Sequence, residues 1–125
     1  MEEWKLKVAA LWMVVEFGMF AVPMVEQHIP GYMDEIIAQT TPEVMMLLAI
    51  IVMILPVMAF LTLTLKGSIN RWLNIIVGIV FIALSPTAIV DFPTDYLPSM
   101  IIISIVEIAA LVLIVWYAWK SKQTA

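Results

Sequence analysis

The stretch that decides the fold of this chain is residues 44–65, which read VMMLLAIIVMILPVMAFLTLTL. These twenty-two residues contain no charged side chain. A bilayer core about 30 Å thick requires about 20 apolar residues in a helix that rises about 1.5 Å per residue. The stretch therefore predicts a helix that crosses a membrane.

Three further stretches on either side of it have the length and composition of membrane-spanning helices. The whole chain of 125 residues is 64% hydrophobic and 13% charged, with a mean hydropathy of +1.07. Soluble domains are about 45–50% apolar and about 25% charged, so this composition excludes a soluble domain, a disordered chain and a nucleic-acid-binding protein. The four predicted spans cover residues 6–25, 44–65, 69–90 and 97–119.

The fold class expected from these spans is all-α: a single domain over residues 1–125 that forms an integral membrane antiparallel four-helix bundle. Short connections between spans favour neighbouring helices that run in opposite directions. Pro30-Gly31 predicts a turn after the first span, and Lys66-Gly67-Ser68 predicts a tight turn before the third. Thr41, followed by Pro42 and Glu43, is typical of a helix N-cap and first turn.

The distribution of charge predicts the orientation of the chain. Lys and Arg in short loops remain on the cytoplasmic side, so we expect both termini and the second loop to be cytoplasmic, in a multi-pass protein of the plasma membrane. The basic residues at that end are Lys5, Lys7, Lys66, Arg71, Lys120 and Lys122, and the acidic residues at the opposite end are Glu26, Asp34, Glu35, Glu43, Asp91 and Asp95.

Two carboxyl groups fall near the middle of predicted spans. Glu16 lies nine residues after Lys7, about 14 Å along its helix, and Glu107 lies thirteen residues before Lys120, about 19 Å along its own. A charged side chain near the bilayer centre costs about 2.5–3.5 kcal/mol. Such a carboxyl has a partner, lines a wet cavity or stays protonated. Ser104, one turn before Glu107, can share its face.

The third span carries a polar stripe. At 100° per residue, Asn70, Asn74, Gly78, Phe81 and Ser85 share one face. Small residues permit close approach of helices, and amides form hydrogen bonds between them. We therefore hypothesise that Glu16, Glu107 and the Asn74–Gly78 face surround one internal polar site. Asn70 and Arg71 would close this site on its cytoplasmic side. The predicted ligand- and proton-binding residues are Glu16, Glu107, Asn74, Asn70, Arg71 and Ser104.

Structural interpretations of the same residues remain open. A neutral intramembrane acid can simply stabilise helix packing through hydrogen bonds, and Arg71 at the interface can serve as a positive-inside anchor that contacts lipid phosphate. Pro56 and Pro86 each free a backbone carbonyl, which either kinks the helix or opens a polar notch.

Three segments of the chain carry a family resemblance: residues 70–78 (NRWLNIIVG), residues 107–109 with 115–120, and Lys5-Leu6-Lys7 with Leu11-Trp12. They resemble a family of small prokaryotic four-span membrane proteins of unknown function, broadly similar to DoxX-type bundles. The resemblance implies the four-helix membrane fold and importance for Asn70, Arg71, Asn74, Gly78 and Glu107, but no activity.

Three functions compete at this stage. The first is binding or transport of a small cationic or lipophilic ligand with proton coupling, in a homodimer because one protomer encloses little volume. The second is a non-catalytic accessory or assembly subunit of a membrane complex. The third is a membrane-embedded enzyme that acts on a lipid or quinone, for which the sequence supplies no catalytic nucleophile. We expect no metal, no cofactor and no nucleic-acid partner; the lipid bilayer is the expected surrounding.

Overall fold

The structure is a computed structural model that describes residues 3–84 and 96–121. Within these residues the chain forms four long helices and one short helix: α1 (Glu3–Glu26), α2 (Tyr32–Gln39), α3 (Pro42–Thr64), α4 (Gly67–Leu84) and α5 (Leu97–Lys120). The last part of the third predicted span, residues 85–90, and loop residues 91–95 lie outside the described residues.

The four long helices α1, α3, α4 and α5 are each long and apolar enough to cross a membrane. Their outward surfaces are apolar as well, since Phe17, Phe20, Phe60 and Ile102 each have more than half of their surface exposed. Aqueous exposure of so much apolar surface is unfavourable, whereas lipid tails accept it. The described part of the chain therefore has the architecture of a multi-pass membrane protein.

Helix α1 is central to the packing. It lies against α3 on one side and α5 on another, and α4 packs chiefly against α5. Helices α3 and α4 have few backbone contacts although only Leu65 and Lys66 join them. The main hydrophobic cluster contains residues of all four long helices: Val8, Trp12, Val15, Leu55, Met58, Phe81, Ala110, Leu111 and Ile114.

Contacts between helix termini define two ends of the molecule. At the first, which we call the basic end, Lys5 Nζ donates to the Leu65 carbonyl over 3.1 Å, and Lys7 Nζ lies 5.3 Å from the Tyr117 ring centroid. At the second, the acidic end, the Tyr96 hydroxyl donates to the His28 carbonyl over 3.1 Å. The basic end carries Lys5, Lys7, Lys66, Arg71 and Lys120, and the acidic end carries Glu26, His28, Ile29, Tyr96 and Met100.

The local turn chemistry follows the sequence. Thr41 caps α3, with its hydroxyl accepting from the Val44 amide over 3.2 Å and Pro42 in the first turn, which confirms the predicted N-cap. Gly31 and Gly67 both have positive φ, 74° and 69°, where a Cβ would be strained. Gly31 directly precedes the short surface helix α2, and Gly67 is the residue at which the chain turns from α3 into α4.

Candidate functional site

A hydrogen-bonded network of buried polar side chains lies between α1, α3 and α4, near the basic end. Its central residue is Asn74, which is 0% exposed. The Asn74 Oδ1 accepts from the Trp12 indole Nε1 over 2.7 Å and from the Thr62 hydroxyl over 3.1 Å; that hydroxyl shares its one proton with the Met58 carbonyl, 2.7 Å away. Its Nδ2 donates to both the backbone carbonyl and the Oδ1 of Asn70, over 2.9 and 2.8 Å. All four hydrogen-bonding positions of the Asn74 amide are therefore occupied by the protein.

Asn70 extends this network to the end of α3. Its Nδ2 donates to the carbonyls of Thr62 and Leu65, over 2.8 and 3.0 Å. The last carbonyls of a helix have no partner within the helix, so Asn70 supplies the donors that α3 lacks at its C-terminus. Lys5 adds a second donor to Leu65 from α1. We call Lys5, Trp12, Thr62, Asn70 and Asn74, with the Leu65 carbonyl, the asparagine network.

The asparagine network is saturated, and this determines what it can do. Buried polar groups with all partners in place stabilise one packing arrangement, whereas a group without a partner is costly. Asn70 and Asn74 thus fasten α4 to α3 and α1, where the α3 and α4 backbones themselves have few contacts. The structure uses the side-chain amides of Asn70 and Asn74 for helix packing, and their predicted role in ligand binding stays a prediction.

The described members of the predicted polar stripe on α4 are all buried: Asn70, Asn74, Gly78 and Phe81. Gly78, however, faces α5. A Cβ at this position would lie 2.8 Å from Val115 Cγ2, so glycine permits the close packing of α4 on α5. Ser85, the fifth member of the stripe, lies outside the described residues.

Glu16 lies one turn beyond Trp12 on the same face of α1. Its side chain is buried, with 6% of the residue exposed. Its Oε1 has no hydrogen-bond partner within residues 3–84 and 96–121. One turn earlier on that face, the Trp12 ring packs edge-on against Phe81, with ring centroids 6.1 Å apart. Glu16 is therefore a buried carboxyl, and its Oε1 lacks a hydrogen-bond partner among the described residues.

Glu107 reaches α1 at a different place. Its side chain lies against Gly18, where a Cβ would be 2.6 Å from both the Glu107 Cγ and Oε1. The residue is half-buried. Gly18 and Glu16 are two residues apart, so they leave α1 about 160° from each other. Glu16 and the Gly18 position that Glu107 contacts therefore face different sides of α1. That the two carboxyls share one site stays a prediction.

The last two predicted site residues, Arg71 and Ser104, lie outside the asparagine network. The Arg71 guanidinium contacts the rings of Trp72 and Trp119, with its Cζ 4.8 and 4.9 Å from their centroids, on the surface formed by α4 and α5. Ser104 is half-buried on α5, three residues before Glu107. The six predicted residues therefore divide between the asparagine network, the buried face of α1, the seam between α1 and α5, and the basic end.

Three residues contribute to these sites although the sequence interpretation did not include them as site residues. Trp12 and Thr62 are members of the asparagine network, and Gly18 provides the space for Glu107. Two signals were available: Trp12 shares a helix face with Glu16 through their spacing of four residues, and a glycine inside a membrane helix indicates a close neighbour. Neither signal identifies which helix supplies the partner.

A groove of about 310 Å³ runs along the outside of α1 and α5. It is lined mainly by apolar side chains, with Lys7 and Tyr117 at its basic end. Within the described residues no group of three or more His, Cys, Asp or Glu side chains is arranged to hold a metal ion.

Comparison with protein-family models, with curated proteins and with solved structures gives no match to this chain. The similarity to DoxX-type bundles stays a prediction from the sequence segments alone.

Proposed function

We propose that this protein binds a small lipophilic cation at Glu16 in exchange for a proton. The observation that carries the proposal is the carboxyl itself: Glu16 is buried within the helices, and its Oε1 has no hydrogen-bond partner in the part of the chain that the structure describes. Polar and ionisable groups within membrane helices are costly and are generally functional.

The chemistry of exchange follows from the apolar surroundings of Glu16. An unpaired carboxylate inside the membrane is expensive, so the group must either hold a proton or be paired with a cation. The two occupants compete for the same oxygens. The aromatic rings of Trp12 and Phe81 lie on the same side of α1, and ring faces attract organic cations. This environment favours a lipophilic organic cation over a strongly hydrated inorganic ion.

The topology that we propose for this activity is an antiparallel bundle in the plasma membrane, with the basic end and both termini in the cytoplasm. The uneven distribution of Lys and Arg supports the orientation. The saturated asparagine network lies between Glu16 and the basic end, which supports access to Glu16 from the bilayer or from the acidic end. Transport across the membrane would use a homodimer, because the groove on one protomer is open rather than enclosed.

Proton release on ligand addition tests this function. Purified protein in weakly buffered detergent solution is titrated with tetraphenylphosphonium while the pH is recorded. We expect release of up to about one proton per bound cation, and binding that tightens by up to about tenfold per pH unit while Glu16 carries a proton. Glu16→Gln should abolish both effects, and Glu107→Gln is the matched control. Binding that is independent of pH and of Glu16 would contradict the proposal.

A second candidate function is that of an accessory subunit, and the position of Glu107 favours it. Glu107 is only half-buried at the seam between α1 and α5, so its carboxyl can reach a neighbouring membrane protein. Intramembrane polar side chains form hydrogen bonds between helices. Purification from native membranes tests this candidate: a stoichiometric partner that is lost in Glu107→Ala would support it, and a lone protein would contradict it.

A further inference from the structure

Arg71 forms an arrangement with two tryptophans that the proposed function does not use. Its guanidinium contacts the indole rings of both Trp72 and Trp119, with Cζ 4.8 and 4.9 Å from the two centroids. The two rings are nearly perpendicular, at 87°, with their centroids 6.2 Å apart. The cation therefore lies in the corner that the two rings form.

The described part of the chain, residues 3–84 and 96–121, places no carboxylate in an ion pair with Arg71. Within residues 3–84 and 96–121 the Arg71 Nε is buried without a hydrogen-bond partner, and the ion pair that these residues form is between Lys7 and Glu3. A guanidinium presents five N–H donors, and ring stacking satisfies none of them. The N–H groups of Arg71 therefore still need an acceptor, and one with several oxygens would bind more than one of them.

The location of Arg71 indicates where that acceptor comes from. Trp72 and Trp119 are 45% and 49% exposed, and tryptophans near the ends of membrane helices lie at the level of the lipid headgroups. Lys66 and Lys120 are exposed at the same end of the molecule. Arg71 is therefore held at headgroup depth within a positively charged surface.

We infer that Arg71, Trp72 and Trp119 form a binding site for the phosphate of an anionic phospholipid headgroup. The guanidinium matches phosphate geometry because two parallel N–H groups can bind two oxygens. The contacts with the indole rings satisfy none of the guanidinium N–H groups, which therefore need oxygen acceptors. The headgroup phosphate completes a site whose cation and aromatic walls come from the protein, and it adds to the generic attraction of basic residues for the leaflet.

Quenching of tryptophan fluorescence by brominated lipids tests this site directly. The protein is reconstituted into vesicles of phosphatidylcholine mixed with brominated phosphatidylglycerol, and in a second series with brominated phosphatidylcholine. Comparison of the two series gives the binding constant for the anionic lipid relative to the zwitterionic lipid. We expect a clear preference for phosphatidylglycerol in the wild type.

The variants separate a specific site from general charge. Arg71→Gln should lower the relative binding constant by about tenfold, since hydrogen bonds to charged groups are strong. Arg71→Lys keeps the charge without the planar fork and should lose most of the same preference. Lys66→Gln is the matched control, because it removes the same unit charge five residues away; its effect should stay below about threefold.

Each other outcome overturns the inference. Equal losses in Arg71→Gln and Lys66→Gln would show diffuse electrostatic attraction, and full retention in Arg71→Lys would show that the guanidinium shape is not used. Inorganic phosphate serves as a competitor in the same vesicles. Displacement of the brominated lipid by inorganic phosphate would show a site for the free anion instead of a lipid site.

Discussion

The indole nitrogen of Trp12 donates a hydrogen bond of 2.7 Å to Asn74 Oδ1, and both residues are 0% exposed. This bond joins α1 to α4 and connects the main hydrophobic cluster with the asparagine network. Trp12 therefore has two roles: it fills the core against Phe81, and it satisfies the amide that orients Asn70. It also lies between Glu16 and the basic end.

A double-mutant cycle measures the coupling between Trp12 and Asn74. Trp12→Phe removes the donor and should lower the free energy of unfolding by about 1–3 kcal/mol, because Asn74 loses a buried partner. The same change should cost less when Asn74 is already leucine, so the two effects should not add. Unfolding by dodecyl sulfate in mixed micelles, followed by far-UV circular dichroism, gives the free energies. Trp116→Phe removes a half-exposed indole and is the control; additive effects would contradict the account.

Because Asn70 caps the C-terminus of α3, we expect its removal to loosen only the last turn of that helix. In Asn70→Ala, the carbonyls of Thr62 and Leu65 each lose a donor, so the last turn of α3 should open more often. Hydrogen exchange at the Leu65 amide, which bonds to Leu61, should become faster, whereas the middle of α3 should keep its protection. Lys5→Met removes only the second donor to Leu65 and should have a smaller effect. Unchanged exchange at Leu65 in Asn70→Ala would show that the cap is not used.

The close contact of Glu107 with Gly18 predicts that Gly18→Ala changes the free energy of unfolding in opposite directions, depending on whether Glu107 is present. Gly18→Ala places a methyl group where the Glu107 side chain lies, so it should destabilise the wild type. In a Glu107→Ala background the space is free, and the same substitution should stabilise by up to about 1 kcal/mol through helix propensity. The unfolding assay described for Trp12 gives both values. Destabilisation of equal size in both backgrounds would place another atom at Gly18.

The proposed orientation can be tested because the chain has no cysteine. Single cysteines are introduced at Gln39, the exposed last residue of α2, and at Ser68, exposed near the start of α4. In intact cells a membrane-impermeant maleimide should label Gln39→Cys, whereas Ser68→Cys should react only after permeabilisation. The reverse pattern would place the basic end outside the cell.

The positions of the helices and of the buried stripe could be predicted from the sequence, but the partners of the buried residues could not. A membrane span depends on local composition, and the stripe of Asn70, Asn74 and Gly78 depends on the 100° periodicity within one helix. The pairing of Trp12 with Asn74, and of Gly18 with Glu107, depends on which helices are neighbours and how they are rotated. Hydropathy carries no such information, because lipid and protein interior are equally apolar. For the same reason the sequence could not show that Glu107 contacts Gly18, which faces a different side of α1 from Glu16.

The proposed exchange requires that Glu16 is a protonated carboxyl that small molecules reach from within the membrane, and carbodiimide labelling tests this requirement most directly. Dicyclohexylcarbodiimide is apolar and adds to protonated carboxyls in low-dielectric surroundings, so mass spectrometry of the intact protein and of its fragments locates the adduct. We predict modification at Glu16, protection by tetraphenylphosphonium and loss of that adduct in Glu16→Gln, with Glu107→Gln still labelled at Glu16. A chain that remains unlabelled at Glu16, or is labelled at Glu107 alone, would contradict the account and leave Glu16 as a packing residue.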